Sequence, residues 1–212
     1  MTSRLPAVAG TRRELNSRVA MVIASLFALA GFLWPLIATA VPKDAQAAVP
    51  VLALALVPVA VVALALTVDR QMHSATTVAL LGMLTAVGAA VRIAGTGVGG
   101  LEAVFIVLIL SGRAFGARFG FLLGMLVISL SSVLWGGIGP WTPFQIFACG
   151  WVAAGAGLLP RITARSQRRA ARLEVLMLVG YGILASYAFG LIMNLWFWPF
   201  AVGAGSDISY SA

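Results

Sequence analysis

Four polar side chains stand out in this chain because of where they fall. Arg92, Glu102, Gln145 and Asn194 each lie at or near the end of an apolar run, and Trp135, Trp141, Trp196 and Trp198 fall at the same level. A guanidinium, a carboxylate and two amides can pair charges and direct hydrogen bonds. Inside a membrane such groups are costly, so they face a bundle interior or a water-filled cavity. Aromatic walls with a few placed hydrogen-bonding groups describe a small-molecule pocket. Two plainer readings stand beside it. The tryptophans suit an interfacial aromatic belt, and Arg92 with Glu102 suits a structural ion pair across the turn at residues 93–101.

Catalytic patterns are missing from the sequence. There is no G-x-x-x-x-G-K-[ST] loop to cradle phosphates and no G-x-S-x-G nucleophile turn. The single histidine, His73, stands beside Asp69 and Arg70, where a solvated polar role is the default. One histidine and one cysteine, Cys149, cannot supply the three or four ligands of a zinc site. Cys149 shares a helix face with Ala153 and Gly157 and reads as a small packing residue. The chain is expected not to be an enzyme, and no cofactor is implied.

The elements that position these groups follow from composition. Hydrophobic residues make up 61% of the 212 and charged residues 9%, with a mean hydropathy of +1.04. A soluble domain carries roughly 25% charged residues, so this chain cannot build a water-facing surface. It reads as an all-α, polytopic transmembrane bundle. A span needs about 20 apolar residues. Seven segments qualify or nearly qualify: Val19–Val41, Val49–Val68, Thr76–Ala94, the short Leu101–Gly112, Phe115–Leu134, Phe144–Leu159 and Leu173–Phe200. The stretch WGGIGPW at Trp135–Trp141 separates the fifth from the sixth, because glycine permits unusual dihedrals and proline cannot continue a helix. Gln145 is carried into the helix that follows.

The net charge of +8 would suggest nucleic acid in a soluble protein. Here the basic residues fall between the apolar segments, so membrane topology explains them and no nucleic-acid partner is expected. Placing the N-terminus in the cytoplasm puts twelve of the fourteen Lys and Arg residues on that side, leaving Lys43 and Arg92 outside. The implied location is the plasma membrane. The Arg113–Arg118 and Arg161–Arg172 turns then face inward, while Trp135–Trp141 and the tail after residue 200 face outward.

Small residues four apart allow helices to pack closely in lipid. Gly112, Gly116, Gly120 and Gly124 repeat at that spacing, as do Gly82, Ala86 and Ala90, and Gly182, Ser186 and Gly190. Ordinary internal packing is the default reading of each.

Several of these motifs occur together in one known family. Ala86 and Ala90 form an A-x-x-x-A pair, and a glycine-rich loop follows at Gly95–Gly100. A G-x-x-x-G-A-R-x-G-F-x-x-G passage covers Gly112–Gly124, and G-x-x-G-P-W-T-P-F-Q covers Gly136–Gln145. From Thr76 onward the chain resembles the substrate-binding S component of energy-coupling-factor vitamin transporters. The resemblance implies binding of a vitamin-like molecule at the outer side, cobalamin being one candidate. It also implies docking on a transmembrane coupling protein that carries two cytoplasmic ATPases. The ligand site would comprise Arg92, Glu102, Trp135, Trp141, Gln145, Asn194 and Trp196, with Gly95–Gly100 as a lid. Gly82, Ala86 and Ala90 would meet the coupling protein.

The expected organisation is a basic cytoplasmic segment at 1–18, a two-helix addition at 19–72 and a core at 73–200. That core holds five of the family's six helices, and the sixth is expected beyond the outward tail at 201–212. Two other classes remain open at this stage: a non-catalytic structural or assembly subunit, and a membrane-embedded transferase or protease. The first would bind no soluble ligand. The second would need a polar constellation that the sequence lacks.

Overall fold

A computed structural model describes residues 5–40, 51–52, 55, 74–95, 103–163 and 166–201. Among them the chain forms seven helices: α1 (Leu5–Phe32), α2 (Trp34–Ala40), α3 (Ala75–Gly95), α4 (Val104–Phe115), α5 (Ala117–Trp135), α6 (Thr142–Leu158) and α7 (Gln167–Ala201). The fold is all-α, which suits a chain of this composition because a helix satisfies its own backbone in lipid. Among the described residues three helices are long and apolar enough to cross a membrane: α3, α5 and Gln167–Leu195 of α7.

The element boundaries depart from the sequence reading in physical ways. The first segment is two helices, not one. Pro35 has no N–H and its ring disfavours a continuous helix. The carbonyl of Leu33 accepts from both Leu36 N (3.0 Å) and Ile37 N (3.1 Å), and the helix restarts there. Arg12, Arg13 and Arg18 ride on α1, which begins at Leu5. Likewise α7 begins six residues before the predicted Leu173, so Arg168, Arg169 and Arg172 lie on its first turns and not in a loop. Helix α4 is displaced one turn toward the C-terminus relative to Leu101–Gly112. The predicted Val49–Val68 segment and the Lys43 turn lie outside the described residues, apart from 51–52 and 55.

The chain divides into two compact units, Met1–Val78 with Leu195–Ala212, and Ala79–Asn194. In the first, Ala28, Phe32 and Trp34 are buried. In the second, α5 and α6 pack most intimately, with α4 against both. Glycines make that approach possible. A Cβ at Gly124 would stand 2.6 Å from the Cys149 carbonyl oxygen, one at Gly120 2.7 Å from that of Ala153, and one at Gly112 would collide with Ala153. Cys149 is buried in this contact, as a packing residue should be. Phe121 and Phe147 meet edge-on with centroids 6.0 Å apart.

Gly116 departs from its stripe. Its φ is +91°, a region glycine enters without steric cost. There the chain leaves α4 and enters α5, and a Cβ would touch nothing. The residue is a turn, and it is its backbone that lies against Gly157 of α6, where a Cβ on Gly157 would come within 2.6 Å of Gly116 C.

Helix α7 is held to this bundle at intervals. Tyr181 Oη donates to the Val152 carbonyl (2.6 Å), and Phe189 meets Phe105 edge-on with centroids 5.2 Å apart. Arg113 grips Glu174 through its Nε and, at 3.0 Å, through Nη2 to Oε2. Between these points a groove runs between α4 and α7.

Candidate functional site: a three-helix polar cluster

Helix α3 brings a guanidinium into contact with α5 and α6. Its inward face carries Leu81, Thr85, Gly88 and Ala89, all buried. Gly88 sets the distance, since a Cβ there would lie 2.6 Å from Val127 Cγ2. One turn further along, Arg92 Nη1 donates to Ser131 Oγ (3.0 Å) on α5. Its Nη2 donates to Gln145 Oε1 (3.2 Å) on α6. Ser131 can accept because its own proton is directed at the Val127 carbonyl (2.6 Å). These two acceptors are neutral oxygens that fix the direction of the guanidinium. With its oxygen turned to Arg92, the Gln145 amide presents its NH₂ elsewhere.

The turn before α6 places Gln145. Gly136 ends α5 in the left-handed region at φ +75° and donates its N–H to the Ser132 carbonyl. Gly139 N–H donates to Thr142 Oγ1 (2.9 Å), and Thr142 N–H returns a bond to Gly139 O (3.0 Å). This reciprocal pair closes the loop and starts α6, with proline in its first turn. Gln145 N–H then donates to Trp141 O (3.0 Å). The Trp141 ring lies against Gly139, where a Cβ would approach within 2.5 Å.

Of the seven residues expected around a ligand, the structure joins Arg92 and Gln145 directly. Trp135 and Trp141 flank the connecting turn and are 59% and 41% exposed, as residues of an aromatic belt or an open rim would be. Asn194 is exposed on α7. Trp196 lies on α7, and its side chain is outside the described residues, as are Glu102 and residues 96–100. The expected Arg92–Glu102 pair therefore rests on a residue outside the described set.

Three hydroxyls were missed by sequence reasoning. Ser131 is a direct partner of Arg92. Thr85 Oγ1 and Ser132 Oγ are buried without a hydrogen-bond partner among the described residues. Adjacent serines inside an apolar helix, just before a glycine break, were the available signal. The cluster can orient a polar group by hydrogen bonds.

A further cavity lies away from this cluster. It is an apolar groove of about 850 Å³ between α4 and α7, lined among others by Phe105, Ile109, Leu178, Gly182 and Phe189. Of the expected ligand residues whose side chains are described, Arg92, Trp135, Trp141, Gln145 and Asn194, none lines it.

The other face of α3 meets no cover among the described residues. Gly82, Ala86 and Ala90 are exposed, and nothing lies within 4 Å of a Cβ placed on Gly82. The glycines of α4 and α5 behave in the opposite way.

Comparison of the chain with protein-family models, with curated proteins and with solved structures finds no match.

Proposed function

We propose that this chain is the substrate-binding subunit of an energy-coupling-factor type importer, taking up a vitamin-like molecule across the plasma membrane. The observation that carries the reading is the two-faced character of α3. One face turns Arg92 toward Ser131 and Gln145. The other presents Gly82, Ala86 and Ala90, exposed and without cover among the described residues. Internal packing against the described helices, the default for a small-residue strip, would have buried them. An exposed strip of this kind admits a partner helix to close range, where van der Waals packing drives association in lipid.

In this reading the Trp141 end faces outward and receives the ligand, and the N-terminus is cytoplasmic. The coupling protein docks on α3, and its two ATPases supply the energy. The distribution of basic residues along the sequence supports that orientation.

The test uses Ala86→Trp and Ala90→Trp in the full chain, expressed with candidate coupling subunits. Both variants should retain a small molecule detected by mass spectrometry as well as wild type, yet lose the coupling protein on co-purification and lose uptake. Uptake at the wild-type rate by both variants would refute docking on this face. Absence of any retained or transported small molecule from the wild-type complex would favour an assembly subunit instead.

A further inference from the structure

We infer that the arginine-rich end of the Ala79–Asn194 unit holds one anionic phospholipid, its phosphate in a pocket beside Arg161 and one acyl chain along the α4–α7 groove. This goes beyond the transport reading and does not rest on it.

The headgroup end is a cavity of about 400 Å³ lined by Arg113, Phe115, Gly116, Gly157, Leu159 and Arg161, among others. Its charges are not equivalent. Arg113 is committed: besides Glu174 it donates to the carbonyls of Leu159 (2.7 Å) and Pro160 (3.1 Å). Those bonds and the Glu174 pair neutralise the carboxylate and the electron-rich end of α6 that would otherwise repel an anion. Arg161 is exposed on the rim and brings the surplus positive charge. Helix α5 begins at the same cavity. Its N-cap is Gly116, which offers no side-chain hydrogen bond to the first amides, so the positive end of that helix adds to the field.

A second feature indicates that the anion carries a hydrocarbon chain. The α4–α7 groove ends at Leu110 and Val175. Glu174 directly precedes Val175, and Arg113 lies one turn beyond Leu110, about 4.5 Å along the helix. From Val175 to Gly190 the groove follows α7 for about 22 Å, enough for an acyl chain that covers half of the ~30 Å hydrocarbon core. The lining of the groove is mostly apolar, and Gly182 and Gly190 add no side chain to it. Basic pockets between membrane helices hold anionic headgroups in this way.

The experiment measures lipid retention by the full chain. Protein is reconstituted in nanodiscs of phosphatidylcholine with 10% phosphatidylglycerol nitroxide-labelled on the acyl chain, and the immobilised fraction is read by electron paramagnetic resonance. Labelled phosphatidylcholine serves as the reference. Wild type should prefer phosphatidylglycerol. Arg161→Ala should lower that preference about fivefold, the effect of one arginine near the surface, whereas Arg161→Lys should keep it. Gly182→Leu, which fills the groove, should reduce the immobilised fraction of both lipids while leaving the helical circular dichroism unchanged. Equal retention of both lipids by wild type would overturn the proposal. So would an Arg161→Ala preference equal to wild type. Displacement of the labelled lipid by millimolar inorganic phosphate would identify a site for a free anion and overturn the lipid assignment.

Discussion

Arg92 on α3 and Gln145 on α6 are 53 residues apart in sequence, and Nη2 of the first donates to Oε1 of the second at 3.2 Å. Their contact, with Ser131 as the third member, ties three helices together at the end of the bundle marked by Trp141. A hydrogen bond to a charged group contributes about 1.5–3 kcal/mol. Gln145→Leu should therefore lower the thermal midpoint of the detergent-solubilised protein measurably, while Gln145→Glu, which places a carboxylate against the guanidinium, should hold or raise it. Ser131→Ala should behave like a milder Gln145→Leu. Equal midpoints for Gln145→Leu and wild type would show that the contact contributes nothing to stability.

The close helix approaches make a controlled comparison possible. Gly124→Ala forces a methyl toward the Cys149 backbone, whereas Gly82→Ala meets open space. Overpacking of this kind costs typically about 1–3 kcal/mol. Gly124→Ala and Gly120→Ala should lower the thermal midpoint and the yield of monodisperse protein, and Gly82→Ala should do neither. Size-exclusion profiles and thermal melts of the three variants decide it.

The Arg113–Glu174 pair joins α4 to α7 across 61 residues of sequence. Both side chains are partly accessible, at 15% and 30%, so screening moderates the interaction. Glu174→Gln and Arg113→Gln should each destabilise. The double variant should be less destabilised than the sum of the two, because the second change removes a partner already lost. Strict additivity in chemical denaturation would mean that the geometry carries no coupling.

Orientation can be measured directly because the native thiol is silent. Cys149 is 1% exposed, so wild type should resist membrane-impermeant maleimides. Ile138→Cys, in the turn at the Trp141 end where the native side chain is 66% exposed, should label from outside intact cells. Arg168→Cys should label only after permeabilisation. The reverse pattern would invert the proposed topology.

Composition by itself determined the class of this protein. With 9% charged residues no water-facing globule can form, and helices are then the means by which an open chain satisfies its backbone in lipid. Sequence also located the breaks, because glycine and proline act locally: Gly136–Pro140 ends α5 and starts α6 as their backbone chemistry requires. It located the glycines at 112, 120 and 124 that permit close packing, since spacing on a helix is a local property. Gly116 sits on the same spacing yet serves as a turn, a difference that lies in its φ of +91°.

Only the tertiary structure decided which polar groups meet. The hydrogen bonds of Arg92 to Ser131 and Gln145 join residues 39 and 53 positions away, and they depend on Gly88 allowing α3 and α5 to close together. Only the fold, too, separated the small-residue strips. Gly124 is pressed against the backbone of α6 while Gly82 looks outward, although both belong to stripes that read alike in sequence. The physical reason is common to both cases. A helix fixes which residues share a face, but the neighbour that a face meets is set by the packing of elements far apart in the chain.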